Sequence, residues 1–375
     1  VTEPGQTTGQ AQTAVNNTMS RCRAFRKGPR SGFSKVDLLV VTCVIVIIGA
    51  IVAPLILYAQ QQSKSQECVN RMRQIATAIM NHAATNKHLP ALSDSIQIRN
   101  SSGQTGDLPV GWPILLLPSM DQNRLFKSIQ DSAIIEGNKT RVADREKAGL
   151  TDMTCPNDDA ASGMPGRMSY VINTGFISRS HWAGDPNRKH RLGSLSWNAN
   201  DIAGEPEDIK VHGATGVCWP REKQIQQSFD EISQGDGCTV TLLLTENLQA
   251  GDWFDTESVR IGFGIPVANV NSQVAFGNGA LFESRDLPLN TEFDGGTLTS
   301  SLPQDWLVNT EMKADRGTRP RPSSNHPGYV NVFFCDASAR VLNQKIDPHV
   351  YLMLITTNGV QYGEKSLHKR ANPRK

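Results

Sequence analysis

The sequence predicts an α+β fold in which a long N-terminal helix, transmembrane in its first half and amphipathic in its second, packs on a β-rich globular head. Three observations carry this. Between Leu38 and Leu57 the chain reads LLVVTCVIVIIGAIVAPLIL, twenty residues without a charge, which at about 1.5 Å each cover the roughly 30 Å of a bilayer core. Beyond it, Val69, Met72, Ile75, Ala76, Ile79 and Met80 recur at three- and four-residue steps, with Arg71, Arg73, Gln74 and Asn81 between them; this is the spacing of a helix with one buried face. From Thr85 onward, glycine, proline, asparagine and aspartate punctuate brief β-suited runs, as in a fold of short strands.

Taken in order, residues 1–32 read as a cytoplasmic leader. Arg21, Arg23, Arg26, Lys27 and Arg30 precede the apolar run and hold that end on the cytoplasmic side. A secretory signal would have an apolar core of roughly 7 to 15 residues and a small-residue cleavage site. Here the run is longer and passes into Gln60, Gln61 and Gln62, so a retained single-pass anchor in the inner membrane is expected, with the head periplasmic. Initiation at Met19 would give a short leader holding all five basic residues; initiation at Val1, with a polar extension, is the alternative. Residues 33–85 form one helix, bent but not ended at Pro54. Residues 86–363 form the head. Its expected strands are Ser169 to Ile172, Thr239 to Thr245, Val259 to Phe263, Val330 to Phe334 and Ala339 to Leu342, with helices around Gln122 to Asp131 and Pro348 to Ile355. Residues 364–375 are a basic tail.

The junction Gly32-Phe33-Ser34-Lys35-Val36-Asp37, followed by apolar residues, resembles the cleavage and methylation motif of type IV pilins and type II secretion pseudopilins. The resemblance implies cleavage by a prepilin peptidase between Gly32 and Phe33 and methylation of Phe33. It places Asp37 at the position of the family's acidic assembly residue, normally glutamate, which pairs with the N-terminal amine of a neighbouring subunit, and Pro54 at the usual helix kink. Lys35 departs from the motif's usual apolar residue.

The order of later segments resembles the planctomycete pilin-like set known as DUF1559, or H-X9-DG. Those segments are Cys68-Val69-Asn70, Gly111-Trp112, Leu115-Leu116-Leu117-Pro118, Cys155-Pro156-Asn157-Asp158, Ser169-Tyr170-Val171, Thr241 to Glu246, and His326 with Asp336 ten positions on. The resemblance spans nearly the whole chain; Ala337 replaces the family's glycine. Val330 to Phe334 and Ala339 to Leu342 read as a hairpin whose turn, with glycine, would suit positive φ. His326 is read as ordering a loop through hydrogen bonds, rather than as a metal ligand or base, because no second histidine or cysteine stands at ligand spacing. Cys68 and Cys155 occupy family motif positions, and pairing them would tie helix to head. Cys218 and Cys238 could close a second loop, leaving Cys335 buried as a small hydrophobe; an arrangement with all thiols free stays open.

The chain carries a formal charge of +2, but loss of residues 1–32 leaves 33 basic against 35 acidic residues, a net of −2. No nucleic-acid partner is expected. Gly-x-Ser-x-Gly, His-Glu-x-x-His and phosphate-cradling motifs are missing, and no catalytic residue or cofactor is assigned. Asp158, Asp159, Asp252 and Asp255 could be paired acids or part of a calcium site, with Glu246 and Asp252 the candidate ligands. The expected function is that of a structural subunit assembling with other pilin-like chains into a surface or secretion filament. The alternative is a tethered module binding a glycan or small solute through Trp182, Trp197, Trp219 and Trp253, which exposed loop tryptophans would favour and buried ones would not.

Overall fold

In the computed structural model the residues described are 34–137, 139–143, 147, 149–178, 213–221, 224–267, 308–310 and 312–359. Gly32, Phe33, Trp182, Trp197, the leader and the tail lie outside them. Helix α1 runs Lys35–Asn86, 52 residues, with Pro54 inside it. Its start is capped by side chains: the Ser34 hydroxyl accepts from the Val36 amide at 3.3 Å while Asp37 Oδ2 accepts from the Ser34 amide at 3.1 Å, so two backbone donors are satisfied and an acid sits at the positive end of the helix dipole. Its end is set by Lys87, which turns left-handed at φ 65° as its amide closes on Ala83 O, the usual αL stop. The helix is long and apolar enough to cross a membrane.

Residues 1–57 and 58–375 form two compact units. In the first, the apolar side chains of α1 are exposed throughout. In the second, α1 buries Ser65, Cys68, Met72, Ile75, Ala76, Ala78, Ile79 and Ala83. The periodicity located this stripe, with one correction: Met80 lies 42% exposed, and Ala78 is buried instead.

The head is built around a five-stranded sheet of order β7-β5-β6-β8-β9, from β5 Tyr170–Ser178, β6 Leu242–Glu246, β7 Gly262–Val267, β8 Tyr329–Phe334 and β9 Ala339–Asn343. Only β5 and β7 run parallel; the other neighbours are antiparallel. β6 is buried at every position, as a central strand covered on both faces must be. β5 bulges between Asn173 and Phe176. Gly175 there has φ +66°, and a Cβ on it would strike the Thr215 backbone at 2.6 Å, so this is a close backbone approach that only glycine permits.

Two hairpins stand apart from this sheet: β1 Ser93–Arg99 with β2 Thr105–Gly111, and β3 Ile134–Glu136 with β4 Lys139–Arg141. Between them lie α2 Trp112–Leu116 and α3 Asn123–Ser132. Farther along come α4 Phe229–Gln234, α5 Ser258–Ile261 and α6 Pro348–Ile355. The expected strand Val259 to Phe263 is corrected to a helical turn followed by β7. Val259, Ile261 and Phe263 are all buried, which in sequence mimics strand alternation. The turn is fixed by the Asp255–Arg260 ion pair at 2.6 Å and by the Arg260 and Ile261 amides closing on Glu257 O.

Candidate functional site

The chemistry-bearing side chains converge where α1, the loop before β8 and the end of β6 meet. Cys68, on the buried stripe of α1, is joined to Cys155 by a disulfide with Cα atoms 5.0 Å apart. Beside it, Glu246 at the end of β6 and His326 in the loop before β8 form a pair, Nε2 to Oε1 3.0 Å. Glu246 also accepts from the Asn331 amide at 2.9 Å and from Asn331 Nδ2 at 3.2 Å. His326 Nδ1 lies 3.4 Å from Asn157 Nδ2, so a ring protonated at Nε2 donates to Glu246 and accepts from Asn157. The imidazole is stacked on Tyr329, centroids 5.3 Å apart and planes within 4°. Cys155 Sγ lies 3.4 Å from Glu246 Oε1 and 4.0 Å from His326 Nε2.

Cys68, Cys155, Glu246 and His326 are each at most 3% exposed. A solute from bulk water therefore reaches them only through a local opening. A buried carboxylate is costly unless its oxygens are paired, and here both are. Three contacts pin α1 at this point: Tyr329 Oη donates to Ser65 Oγ at 3.1 Å, Arg71 Nη1 donates to Thr151 O at 2.8 Å and Thr154 O at 2.7 Å, and the disulfide lies between. Burial, with the negative charge of Glu246 second, pushes the Tyr170 phenol well above its usual value; it stays a donor toward Cys68 O and Thr154 O, both at 3.4 Å.

His326 and Asp336 part company here. Strand β8, six residues long at roughly 3.3 Å each, carries them about 20 Å apart. Asp336 lies at the β8–β9 turn, where Oδ1 accepts from the Ser338 amide at 2.9 Å and Oδ2 faces Arg340 at 3.8 Å. Ala337 keeps the left-handed conformation, φ 59°, that the sequence associates with glycine.

Two expectations are corrected. Cys218 and Cys238 are free thiols. The Cys218 amide is tied to Asn173 O, while Cys238 Sγ donates to Phe229 O at 3.4 Å, and burial pushes both thiols above the usual range, which suppresses the thiolate that oxidation needs. Cys335 is buried and free as well. Glu246 and Asp252 do not share a cation site among the described residues. Each acid has a cation or amide of its own: Asp252 faces Arg167 at 3.3 Å, Asp255 holds Arg260, and Asp158 accepts from Ser169 Oγ at 2.8 Å beside Arg316 at 3.4 Å. Burial raises Asp158 above the usual carboxylate range, against the pull of Arg316. Of the loop tryptophans, Trp219 and Trp253 are core residues.

The segment holding these residues decides the family. Residues 61–349 match the family SBP_bac_10, described as "Protein of unknown function (DUF1559)". The chain belongs to DUF1559. The match begins just before Cys68 and takes in Cys155, Glu246 and His326, so the whole buried cluster lies within the DUF1559 region. No curated protein and no solved structure matches the chain. Sequence reasoning singled out all four cluster residues and, through the family motif positions, the pairing of Cys68 with Cys155, but not the convergence of Glu246 and His326 on that bridge. It missed Tyr329, Asn331 and Ser65, whose only signal was their closeness in sequence to motif residues, and Arg71, expected to face away with Arg73 and Gln74, is corrected to a half-buried residue that donates to Thr151 O and Thr154 O.

Proposed function

We propose that this chain is a pilin-like structural subunit, anchored in the inner membrane with its N-terminus cytoplasmic, cut between Gly32 and Phe33 and methylated on Phe33. It assembles through the first half of α1 with other pilin-like chains into a surface or secretion filament, with the head outside. The observation that supports this most is the apolar surface from Val36 to Tyr58, whose large side chains are between 41% and 69% exposed. A surface of that size requires lipid or neighbouring apolar helices. Asp37 fits the reading in two steps: it caps its own helix in the single chain, and removal of the leader places a new amine next to it for a neighbour's acid to meet. The head is the load that the helix carries, and the reading assigns it no catalytic role.

N-terminal sequencing and mass measurement of membrane-derived protein test the proposal. Mature protein beginning at a methylated Phe33, and an uncut Gly32→Arg precursor, are expected. A mature chain beginning after the apolar run would replace the filament subunit with an ordinary secreted protein. Asp37→Ala should still insert in the membrane but lose crosslinks between copies.

A further inference from the structure

The disulfide, the histidine and the glutamate bring four side chains able to ligate a metal into one buried cluster. One Sγ from each cysteine, one ring nitrogen of His326 and one carboxylate oxygen of Glu246 all lie within 4.8 Å of one another, and all four residues are buried. In a tetrahedral zinc centre with Zn–S near 2.3 Å and Zn–N near 2.1 Å, ligand atoms stand roughly 3.3 to 3.8 Å apart. The cluster is thus within a small side-chain rotation of that geometry once the sulfurs are not bonded to each other.

We propose that the reduced chain, before Cys68 and Cys155 are joined, binds one Zn2+ through the two thiolates, His326 Nε2 and a Glu246 carboxylate oxygen. Four protein donors would close the site, and two soft sulfurs, an imidazole and one carboxylate oxygen suit zinc and disfavour calcium. The surroundings are those of an outer ligand shell. The Asn157 amide lies 3.4 Å from Cys155 Sγ, where it can donate to a thiolate, and the Asn331 amide fixes the other Glu246 oxygen. When Nε2 ligates, its proton moves to Nδ1, and Asn157 turns its side-chain oxygen to accept it.

Exchange of metal for bridge balances without further reagents than an external disulfide. The Cys68 or Cys155 thiolate attacks that disulfide and the second thiolate resolves the mixed intermediate. The Cys68–Cys155 bond forms, the external disulfide leaves as two thiolates, and Zn2+ is released. The same four side chains thus hold α1 to the head in either redox state.

The experiment uses the full chain in detergent, reduced anaerobically with a phosphine, with Co2+ as optical probe and Zn2+ as competitor. One Co2+ per chain is expected, with tetrahedral bands and thiolate charge-transfer absorption, displaced by Zn2+ and not taken up by the bridged protein. Cys68→Ser and Cys155→Ser should each halve the charge-transfer intensity. His326→Gln should weaken binding, and Asn157→Ala should weaken it by about tenfold through the outer shell. If the reduced chain loses its near-ultraviolet dichroism, one equivalent of Zn2+ should restore it. The proposal is overturned if the reduced, folded chain takes up no Co2+, if an unfolded reduced chain is not recovered by metal, if the bridged protein binds equally, or if the Cys68→Ser/Cys155→Ser double variant keeps the full charge-transfer band, which would place the metal on other cysteines.

Discussion

Lys35 to Tyr58 and Ser65 to Ala83 belong to one uninterrupted helix, yet they answer to different solvents. The first stretch turns apolar side chains outward on all sides, and none of its most hydropathic window is buried. The second hides one stripe and leaves Arg73, Gln74 and Thr77 outside. Helical propensity does not distinguish them; what distinguishes them is where each can put its apolar area. The first needs an environment from outside the chain, and the second finds it in the head. Substitutions in the two stretches should therefore register in different assays.

The largest effect is expected at the seam between helix and head. Cys155→Ala opens a bridge spanning 87 residues, which in the chain-entropy model lowers unfolding free energy by about 4.6 kcal/mol. Denaturant unfolding of the oxidised protein measures it, and a loss below about 1 kcal/mol would mean that the apolar stripe alone holds the helix. Non-reducing peptide mapping should find the Cys68 and Cys155 peptides joined, with Cys218, Cys238 and Cys335 alkylated as free thiols.

Next comes the contrast itself. Ile75→Ala empties a fully buried site and should cost about 3 kcal/mol of head stability, whereas Ile48→Ala, at a site 55% exposed, should leave the same denaturation curve unmoved. Ile48→Arg reverses the pattern, with about 3 kcal/mol lost from membrane insertion and none from the head. Equal effects of the two alanine variants in the unfolding assay would mean that both stretches of the helix pack on the head.

Much of this division was legible because it rests on local pattern. The uncharged run and the three-four spacing need no partner to be read, and α6, β8 and β9 follow from short apolar runs with clear boundaries. The hairpin β1–β2 was missed although Ile96 and Ile98 alternate with Ser95, Gln97 and Arg99: its partner strand, TGDLPVG, carries two glycines and a proline, residues that weaken a strand pattern. In the candidate site, the pairing of Cys68 with Cys155 was legible through the family motif positions, but the meeting of that bridge with Glu246 and His326 was not, because these residues are separated by long stretches of chain. The Glu246–His326 pair is a product of the sheet order, in which β6 and β8 are neighbours although distant in sequence.

Ala337 stands at φ 59°, where a Cβ is unfavourable, so Ala337→Gly should raise stability by up to about 1 kcal/mol in thermal or denaturant unfolding. A loss instead would mean that the turn relaxes to negative φ in solution.

The smallest concerns His82, which burial, and after it the charges of His88 and Arg221, hold below the ordinary 6.5. The unfolded chain then takes up a proton near its ordinary value that the folded chain refuses until lower pH. Its contribution to stability is complete above that value and is lost as pH falls through the folded one. Unfolding free energy should thus decline as pH falls from about 7.5 through the ordinary 6.5, and His82→Asn should flatten that slope. An unchanged slope would assign the decline to other groups.

The bridge also decides where mechanical tension travels. A pull on the N-terminal part of α1 enters the head at Cys68 and crosses directly to Cys155, because a covalent bond is far stiffer than side-chain packing. If the resisting load is applied beyond Cys155, the intervening chain, with both small hairpins, α2 and α3, lies outside the taut path and is spared stretching. Strands β5, β6 and β8 are left to carry the strain, so an anchor dragged through a membrane would test the central sheet while the appended hairpins ride slack beside it.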